Sequence, residues 1–288
     1  MRTSGLFTTC CYTIQVKSTN DDIFIVPFSD IHYGSRGFCP SSWGDFARWG
    51  NAHPNAYYIG NGDYLDSFRA HSRDTIQKNL EAEEQDVIHE GNMKRLGEFE
   101  RLMGFMAGRL IGVGDGNHDW NFRDGRNTAE IIAHDFGAEY LGVMSAIRIE
   151  FEYHGCSTSI LYVQHHGKPS SAFTAGGKFN GVERMARSYD ADIIATGDDH
   201  KKGITGAQTR IKFLTDIHGN LVPKEYTPML VRTGGFLRML MPGVAAYTVD
   251  KNYAPLSLGV NAVRVKINRG MVDGNRTLRV KLGAYDIM

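Results

Sequence analysis

The chain has 288 residues, of which 42% are hydrophobic and 22% charged, so it is long and apolar enough to bury a substantial core. Its 32 basic side chains balance its 32 acidic ones, which excludes a chain-wide electrostatic field for nucleic acid or membranes. The four cysteines lack C-x-x-C spacing, and no signal-peptide core or membrane-length apolar run is present. We therefore expect free thiols and a cytoplasmic protein.

Strands and helices alternate along the first 200 residues. The segment "IFIVPF" is apolar throughout, as expected of a strand that is buried on both faces. Apolar residues recur at helical spacing in the long charged segment 74–109, which predicts either one helix or two helices with a break near Gly91 or Gly97. In chain order, the other predicted elements are strands at 14–17 and 56–60, helices at 43–51 and 127–136, strands at 109–114, 146–153 and 158–164, a helix at 178–189 and a strand at 192–197.

The chain after residue 202 is mostly strand-like. Apolar and polar residues alternate in 262–267 and 277–282, with Gly-Asn turn chemistry between the two segments. Strands and helices that alternate up to about residue 200, followed by strands alone, predict an α/β core with further strands closing over it. We expect one domain, 1–288, with a helical insertion at 66–109 and a β-rich C-terminal part, 203–288, that completes a second sheet.

Residues able to bind metals recur where the predicted strands end. Loops at the carboxyl ends of strands build the site in open α/β sheets, so five such loops are expected to meet at one rim. Asn127 can cap the helix that follows the third loop. The five clusters are Asp30 and His32 (D-I-H), Asp63 (G-D), Asn117, His118 and Asp119 (G-N-H-D), His165 and His166 (H-H-G), and Asp198 and His200 (G-D-D-H).

The ligand set at this rim consists of carboxylates, imidazoles and one amide. Because imidazole is a borderline ligand, the set suits Mn²⁺, Fe or Zn²⁺ better than Ca²⁺ or Mg²⁺. There are more ligands than one ion needs, and two ions roughly 3.5–4 Å apart would share a bridging carboxylate. Such a pair clamps attacking and leaving oxygens and lowers the pKa of a bound water. The pattern therefore predicts a hydrolytic site.

In this order, D-x-H, G-D, G-N-H-D, H-G and G-x-x-H resemble the motifs of the calcineurin-like metallophosphoesterase superfamily. The motifs extend from Asp30 to His200, about two thirds of the chain. The ordered set is far more specific than any single motif. The resemblance implies an α/β fold, a four-layer α/β/β/α sandwich with the dinuclear metal site at one edge.

The resemblance also implies a role for each residue. Asp30, His32 and His200 would bind the first metal, Asp63 would bridge both, and Asn117 and His166 would bind the second. His165 is the alternative to His166, which is preferred because it directly precedes the glycine. His118 would stabilise the developing phosphoryl charge or protonate the leaving oxygen, and Asp119 would orient His118.

The last motif departs from the family pattern. G-D-D-H stands where G-H-x-H is usual, so Asp198 replaces an expected second-metal histidine. Aspartate can still ligate that metal and favours harder ions, so we expect two divalent ions, with Mn²⁺ preferred and Fe, Zn²⁺ or Mg²⁺ as alternatives. Loss of the second metal is the competing interpretation.

The implied function is a metal-dependent phosphoesterase, a hydrolase in which a metal-bridging hydroxide attacks phosphorus. The predicted C-terminal hairpin carries six basic residues against Asp273, which favours a phosphodiester or nucleic-acid-related substrate. A solvated sheet face explains the same residues. A phosphomonoesterase and a non-catalytic binding scaffold are the alternative functions. Edge strands could also pair between subunits to give a homo-oligomer.

Overall fold

Two mixed β-sheets form the centre of the protein. The computed structural model describes residues 2–4, 7–66, 82–167, 177–215, 218–238, 256–272 and 275–287. Part of the predicted 74–109 helical segment and residues 273–274 of the predicted C-terminal hairpin lie outside them. The strands are β1 (Arg2–Ser4), β2 (Phe7–Gln15), β3 (Ile23–Phe28), β4 (Ala56–Asn61), β5 (Leu110–Gly114), β6 (Glu139–Gly142), β7 (Met144–Tyr153), β8 (Cys156–His165), β9 (Ile193–Thr196), β10 (Lys202–Gly206), β11 (Arg210–Thr215), β12 (Leu221–Tyr226), β13 (Met229–Thr233), β14 (Asn261–Val272) and β15 (Asn275–Asp286).

The seven-stranded sheet has the order β1-β2-β7-β8-β9-β13-β10, and the six-stranded sheet has the order β15-β14-β3-β4-β5-β6. In the latter, β3, β4, β5 and β6 run parallel, while β14 is antiparallel to β3. In the former, β8, β9 and β13 run parallel. The carboxyl ends of β3, β4 and β5 therefore lie at one edge.

The helices are α1 (Pro40–Ala52), α2 (Ala82–Leu102), α3 (Thr128–Asp135) and α4 (Asn180–Ser188). Helix α2 runs through Gly91 and Gly97, so the alternative of two helices with a break at these glycines is wrong. Helix α3 begins at a complete capping box, in which Asn127 accepts from the Glu130 backbone and Glu130 accepts from the Asn127 backbone. None of the described helices is long and apolar enough to cross a membrane.

Strand β3 shows why the molecule has four layers. Ile23 and Ile25 pack between the two sheets with residues of β7 and β9, whereas Phe24, Val26 and Phe28 pack beneath α1, α2 and α3. Helix α4 covers the outer face of the seven-stranded sheet. Because alternate side chains of a strand point to opposite faces, a strand buried on both faces is apolar throughout. The predicted α/β/β/α sandwich is confirmed.

The C-terminal strands divide between the sheets. Strands β10 and β13 join the seven-stranded sheet, β14 and β15 join the six-stranded sheet, and β11 and β12 form a separate pair. The segment 203–288 thus contributes to both sheets, whereas the sequence predicted that it completes the second. The difference arises because β13 pairs with β9, a contact across more than thirty residues that no local pattern encodes.

Candidate metal centre

The five predicted clusters meet at one edge of the sandwich. The loop after β3 is tied to the loop after β4 by bonds from the Asp30 backbone to Gly62 O (3.1 Å) and from the His32 backbone to Asp63 O (3.0 Å). The loop after β9 joins them across the two sheets, because the Asp198 backbone donates to Asp30 Oδ2 at 3.1 Å. These hydrogen bonds, each donated by a backbone amide, therefore bring together residues separated by up to 168 positions.

Asp30, His32 and His200 form the first group. One ligand atom from each lies within 4.8 Å of the other two. His200 Nε2 is 3.7 Å from Asp30 Oδ1, and the His32 and His200 rings are nearly parallel, with centroids 5.0 Å apart. These are the residues predicted for the first metal.

Asp63, His166, Asp198 and Asn117 form the second group. His166 Nε2 lies 3.2 Å from Asp63 Oδ2 and 3.8 Å from Asp198 Oδ1, and Asn117 Nδ2 donates to that Asp198 oxygen at 2.5 Å. Asp63 Oδ2 is also 3.5 Å from His32 Nε2. Asp63 therefore contacts a histidine of each group, which is the position that a bridging carboxylate requires.

The structure distinguishes the two adjacent histidines. His166 is 4% exposed, and its Nδ1 lies 2.6 Å from Asn61 O, which leaves Nε2 to face Asp63. His165 Nδ1 instead accepts from the Gly167 backbone at 2.8 Å. His165 is the last residue of β8, and among the described residues it is the ring of the next residue, His166, that contacts Asp63 and Asp198.

Several buried atoms of the cluster show whether these residues fit metal ions. Asp30 Oδ1, His32 Nε2, His166 Nε2 and Asp198 Oδ2 are inaccessible and have no hydrogen-bond partner within the described part of the chain. Buried polar atoms are normally satisfied, and these four carry lone pairs or can do so. Metal ions could satisfy them together, since carboxylate oxygens and imidazole nitrogens are metal ligands. The residues therefore fit a metal centre.

The backbone at the cluster is strained. Six non-glycine residues among those described have positive φ, and five of them belong to the predicted site: Asp30 (55°), His32 (48°), Asp63 (56°), Asp198 (70°) and His200 (55°). Left-handed backbone is unfavourable for residues with a Cβ and persists where the surrounding structure enforces it. The strain turns each side chain back from its strand end into the cluster.

Two glycines let neighbouring loops approach closely. A Cβ on Gly116 would lie 2.2 Å from both the backbone nitrogen and Oδ1 of Asp63, and one on Gly197 would lie 2.8 Å from Asp30 Oδ2. A larger residue at either position would therefore force Asp63 or Asp30 to move. The glycine of G-N-H-D is thus needed for contact with the loop after β4.

Opposite charges perturb the ionisation of the metal-free cluster. Burial opposes protonation of His166, but Asp63 and Asp30 raise its pKa to about 10. Burial opposes ionisation of Asp63, yet His166 and His32 hold its pKa below the usual range. Burial and the carboxylates of Asp30 and Asp63 raise the pKa of Asp198 to about 6. Protons thus balance the buried carboxylates, and metal binding would release them.

His118 lies beside the first group and is partly exposed. Its backbone donates to Asp63 Oδ1 at 2.8 Å, and its ring centroid is 4.8 Å from that of His32. Asp66 also lies at this position, with its Oδ1 3.7 Å from His32 Nδ1. The structure places ligand atoms of His32, Asp66 and His118 within 4.8 Å of one another. A second carboxylate three residues after Asp63 was the sequence signal for this position.

Asp119 is buried in the turn that carries His118, and its predicted role of orienting that histidine stays a prediction. Its Oδ2 accepts from the Gly116 backbone at 2.6 Å, so it braces the turn that carries Asn117 and His118. Burial and the neighbouring Asp115 raise the pKa of Asp119 well above its usual value. The short turn favours the hydrogen bond from the Gly116 backbone to Asp119, because the two residues are three positions apart. Asp66 is a carboxylate that lies beside His118.

The basic C-terminal hairpin lies far from this edge. Strand β14 is antiparallel to β3, with Val263 opposite Ile25 and Val265 opposite Ile23. Residues after Val265 therefore extend past the start of β3, in the direction away from Asp30. The outer face that β14 and β15 share carries Arg264, Lys266, Arg279 and Lys281. Asp22 forms ion pairs with Arg264 and Lys266.

Solved structures similar to this chain include Vps29 from Entamoeba histolytica, studied as a single mutant, which is 12% identical over 92% of this chain and 100% of that chain, with a TM-score of 0.38. Vps29 from Chaetomium thermophilum is 9% identical over 91% and 96%, with a TM-score of 0.36. A Streptococcus pneumoniae protein described as a predicted phosphoesterase is 12% identical over 91% and 99%, with a TM-score of 0.30. The structural neighbours are thus Vps29 and predicted phosphoesterases, and the similarity concerns the fold alone. No family model and no curated protein sequence matches the chain.

Proposed function

We propose that the protein is a metal-dependent phosphoester hydrolase. The observation that supports this most directly is the buried cluster of carboxylates and imidazoles, in which atoms of Asp30, His32, His166 and Asp198 make no hydrogen bond within the described residues. A protein that needed only a stable fold would gain nothing from this arrangement, because buried unsatisfied polar atoms and strained backbone both destabilise the folded state.

The two groups divide the metal-binding work. Asp30, His32 and His200 would hold one ion, while Asn117, His166 and Asp198 would hold the other and Asp63 would contact both. Bound divalent ions supply Lewis-acid stabilisation of phosphoryl oxygens and a nucleophile at neutral pH. Because Asp198 adds a carboxylate where a histidine is usual, the second position would favour Mn²⁺ over softer ions.

His118 is the side chain best placed to act on the substrate. It is held by its backbone bond to Asp63, yet its ring is partly exposed beside the first group. It would donate a proton or a hydrogen bond to the phosphoryl or leaving oxygen. Asp66 would hold the His32 and His118 rings in place, since its carboxylate lies near both.

The substrate class is open between mono- and diesters. The basic hairpin was the reason for favouring a nucleic-acid-related diester, and its distance from the cluster removes that reason. A phosphodiester therefore remains a proposal that the assay must decide. A non-catalytic binding scaffold is the second candidate function, favoured by the replacement of a usual histidine by Asp198.

Hydrolysis of bis(4-nitrophenyl) phosphate and 4-nitrophenyl phosphate with Mn²⁺, with and without a chelator, tests the proposal. We expect chelator-sensitive turnover of at least one ester. His118→Ala should keep both metals and lose about 10²–10⁴-fold in rate, while His134→Ala, on the exposed face of α3, should match the wild type. Metal binding by the folded wild type without turnover of either ester would favour the scaffold.

A further inference from the structure

Strand β13 contains one arginine in an otherwise apolar, buried segment. Arg232 is 2% exposed and lies opposite Thr196 of β9, and the preceding Leu230 and Val231 are core residues. A buried guanidinium must be paired and hydrogen-bonded, since removing its charge from water is costly. Its partners therefore indicate its role.

All of these partners lie at or near the G-D-D-H turn. Arg232 Nη1 donates to Thr196 Oγ1 at 2.6 Å, and Nη2 donates to Gly197 O at 2.8 Å. Nη2 also forms an ion pair with Asp199 Oδ1, and the Asp199 side chain is only 5% exposed. The guanidinium thus connects the end of β9 with the residue between Asp198 and His200.

The turn that Arg232 contacts is strained on both sides of Asp199. Asp198 and His200 have φ values of 70° and 55°. Such conformations relax unless other contacts hold them. Asp198 faces His166 in the second group, and His200 faces Asp30 in the first. One anchored residue between them therefore controls a ligand of each group.

We propose that Arg232 and Asp199 form a positioning pair that holds Asp198 and His200 in the metal centre. This inference rests on the proposed function, because it assigns the pair a role towards the bound metals. The pair acts through the turn, and a planar guanidinium is suited to it because its fixed fork reaches three acceptors at once. Lysine keeps the charge but lacks this fork.

Mn²⁺ titration calorimetry of Arg232→Lys, on protein shown to be folded, tests the pair. We expect binding at one or both positions to weaken about 10- to 100-fold, the usual effect of losing a residue that supports metal ligands. Arg148→Lys, at an exposed position on β7 of the same sheet, is the matched control and should bind as the wild type does. If Arg232→Lys does not fold, Asp199→Asn carries the same expectation.

Hydrogen exchange of the metal-free proteins separates positioning from general stability. In Arg232→Lys, amides of residues 197–200 should exchange at least about tenfold faster than in the wild type, while those of β7 stay unchanged. Wild-type affinity and stoichiometry in a folded Arg232→Lys or Asp199→Asn protein would overturn the inference. A wild type that binds no Mn²⁺ would overturn the proposed function. In that case, unchanged hydrogen exchange at residues 197–200 of Arg232→Lys would also overturn the inference that Arg232 positions the turn.

Discussion

Replacing His166 by alanine tests the architecture of the centre, and the same change at His165 is its control. The two residues are adjacent, but only His166 Nε2 lies within 3.2 Å of Asp63 Oδ2. In the metal-free protein at neutral pH, His166 is protonated and balances a buried carboxylate, since its pKa is raised to about 10. His166→Ala leaves the Asp63 charge without this partner.

The magnitude follows from burial of the pair. Leaving one partner of a buried ion pair uncompensated costs about 3–5 kcal/mol. A chain of 288 residues has an unfolding entropy of roughly 0.6 kcal/mol per kelvin, so the metal-free Tm should fall by about 5–8 °C. The stability that protonated His166 contributes through its ion pair with Asp63 is fully present below pH 6.5 and is lost as the pH rises through about 10. The difference in Tm between the wild type and His166→Ala should therefore narrow at high pH.

Metal binding gives the second measurement. Mn²⁺ at 100 times its Kd stabilises the wild type by about 2.7 kcal/mol, or roughly 4–5 °C in Tm. His166→Ala should lose one bound ion, or weaken it by about 100-fold, whereas His165→Ala should keep both. Calorimetry with scanning of Tm at several Mn²⁺ concentrations measures both effects. Equal loss in the two variants, or loss in His165→Ala alone, would refute the assignment.

Three further changes test separate parts of the structure. Gly116→Ala should abolish Mn²⁺ binding, measured by calorimetry, because its Cβ would lie 2.2 Å from Asp63. Gly91→Ala, which has open space around it in α2, should add about 0.5–1 kcal/mol of stability in urea unfolding. Intact Mn²⁺ binding in Gly116→Ala would contradict the close packing of Gly116 against Asp63. Asp198→His should shift preference from Mn²⁺ towards Zn²⁺ in a competition titration, and an unchanged ratio would show that Asp198 is not a ligand. Burial and the neighbouring Asp135 raise the pKa of Glu100 from 4.5 to about 7, so the contribution of Glu100 to stability is present below pH 4.5 and is lost as the pH rises through 7. Glu100→Gln should remove about 1–2 kcal/mol of this pH-dependent loss of stability, a value discounted for the partial exposure of the side chain. Identical unfolding curves for both proteins at pH 5 and pH 8 would reject the account.

Local sequence was sufficient where a signal acts over a few residues. The apolar run of β3 and the cap at Asn127 depend on burial and hydrogen bonds within one element, and both were predicted. The order of the five Asp, His and Asn clusters was also readable, because each follows its own strand. Their meeting at one edge follows from a general property of parallel strands rather than from any single cluster.

Only the tertiary structure decided which side chains face the cluster and what supports them. The choice of His166 over His165 depends on the direction of one residue at the end of β8, and adjacent residues at a strand end point opposite ways. Arg232 gave a readable signal, a charge in an apolar strand, but its partners lie more than thirty residues away. The basic hairpin lies far from the centre because of the antiparallel pairing of β14 with β3. Long-range pairing fixes such positions, since it is determined by the packing of whole sheets and not by neighbouring residues.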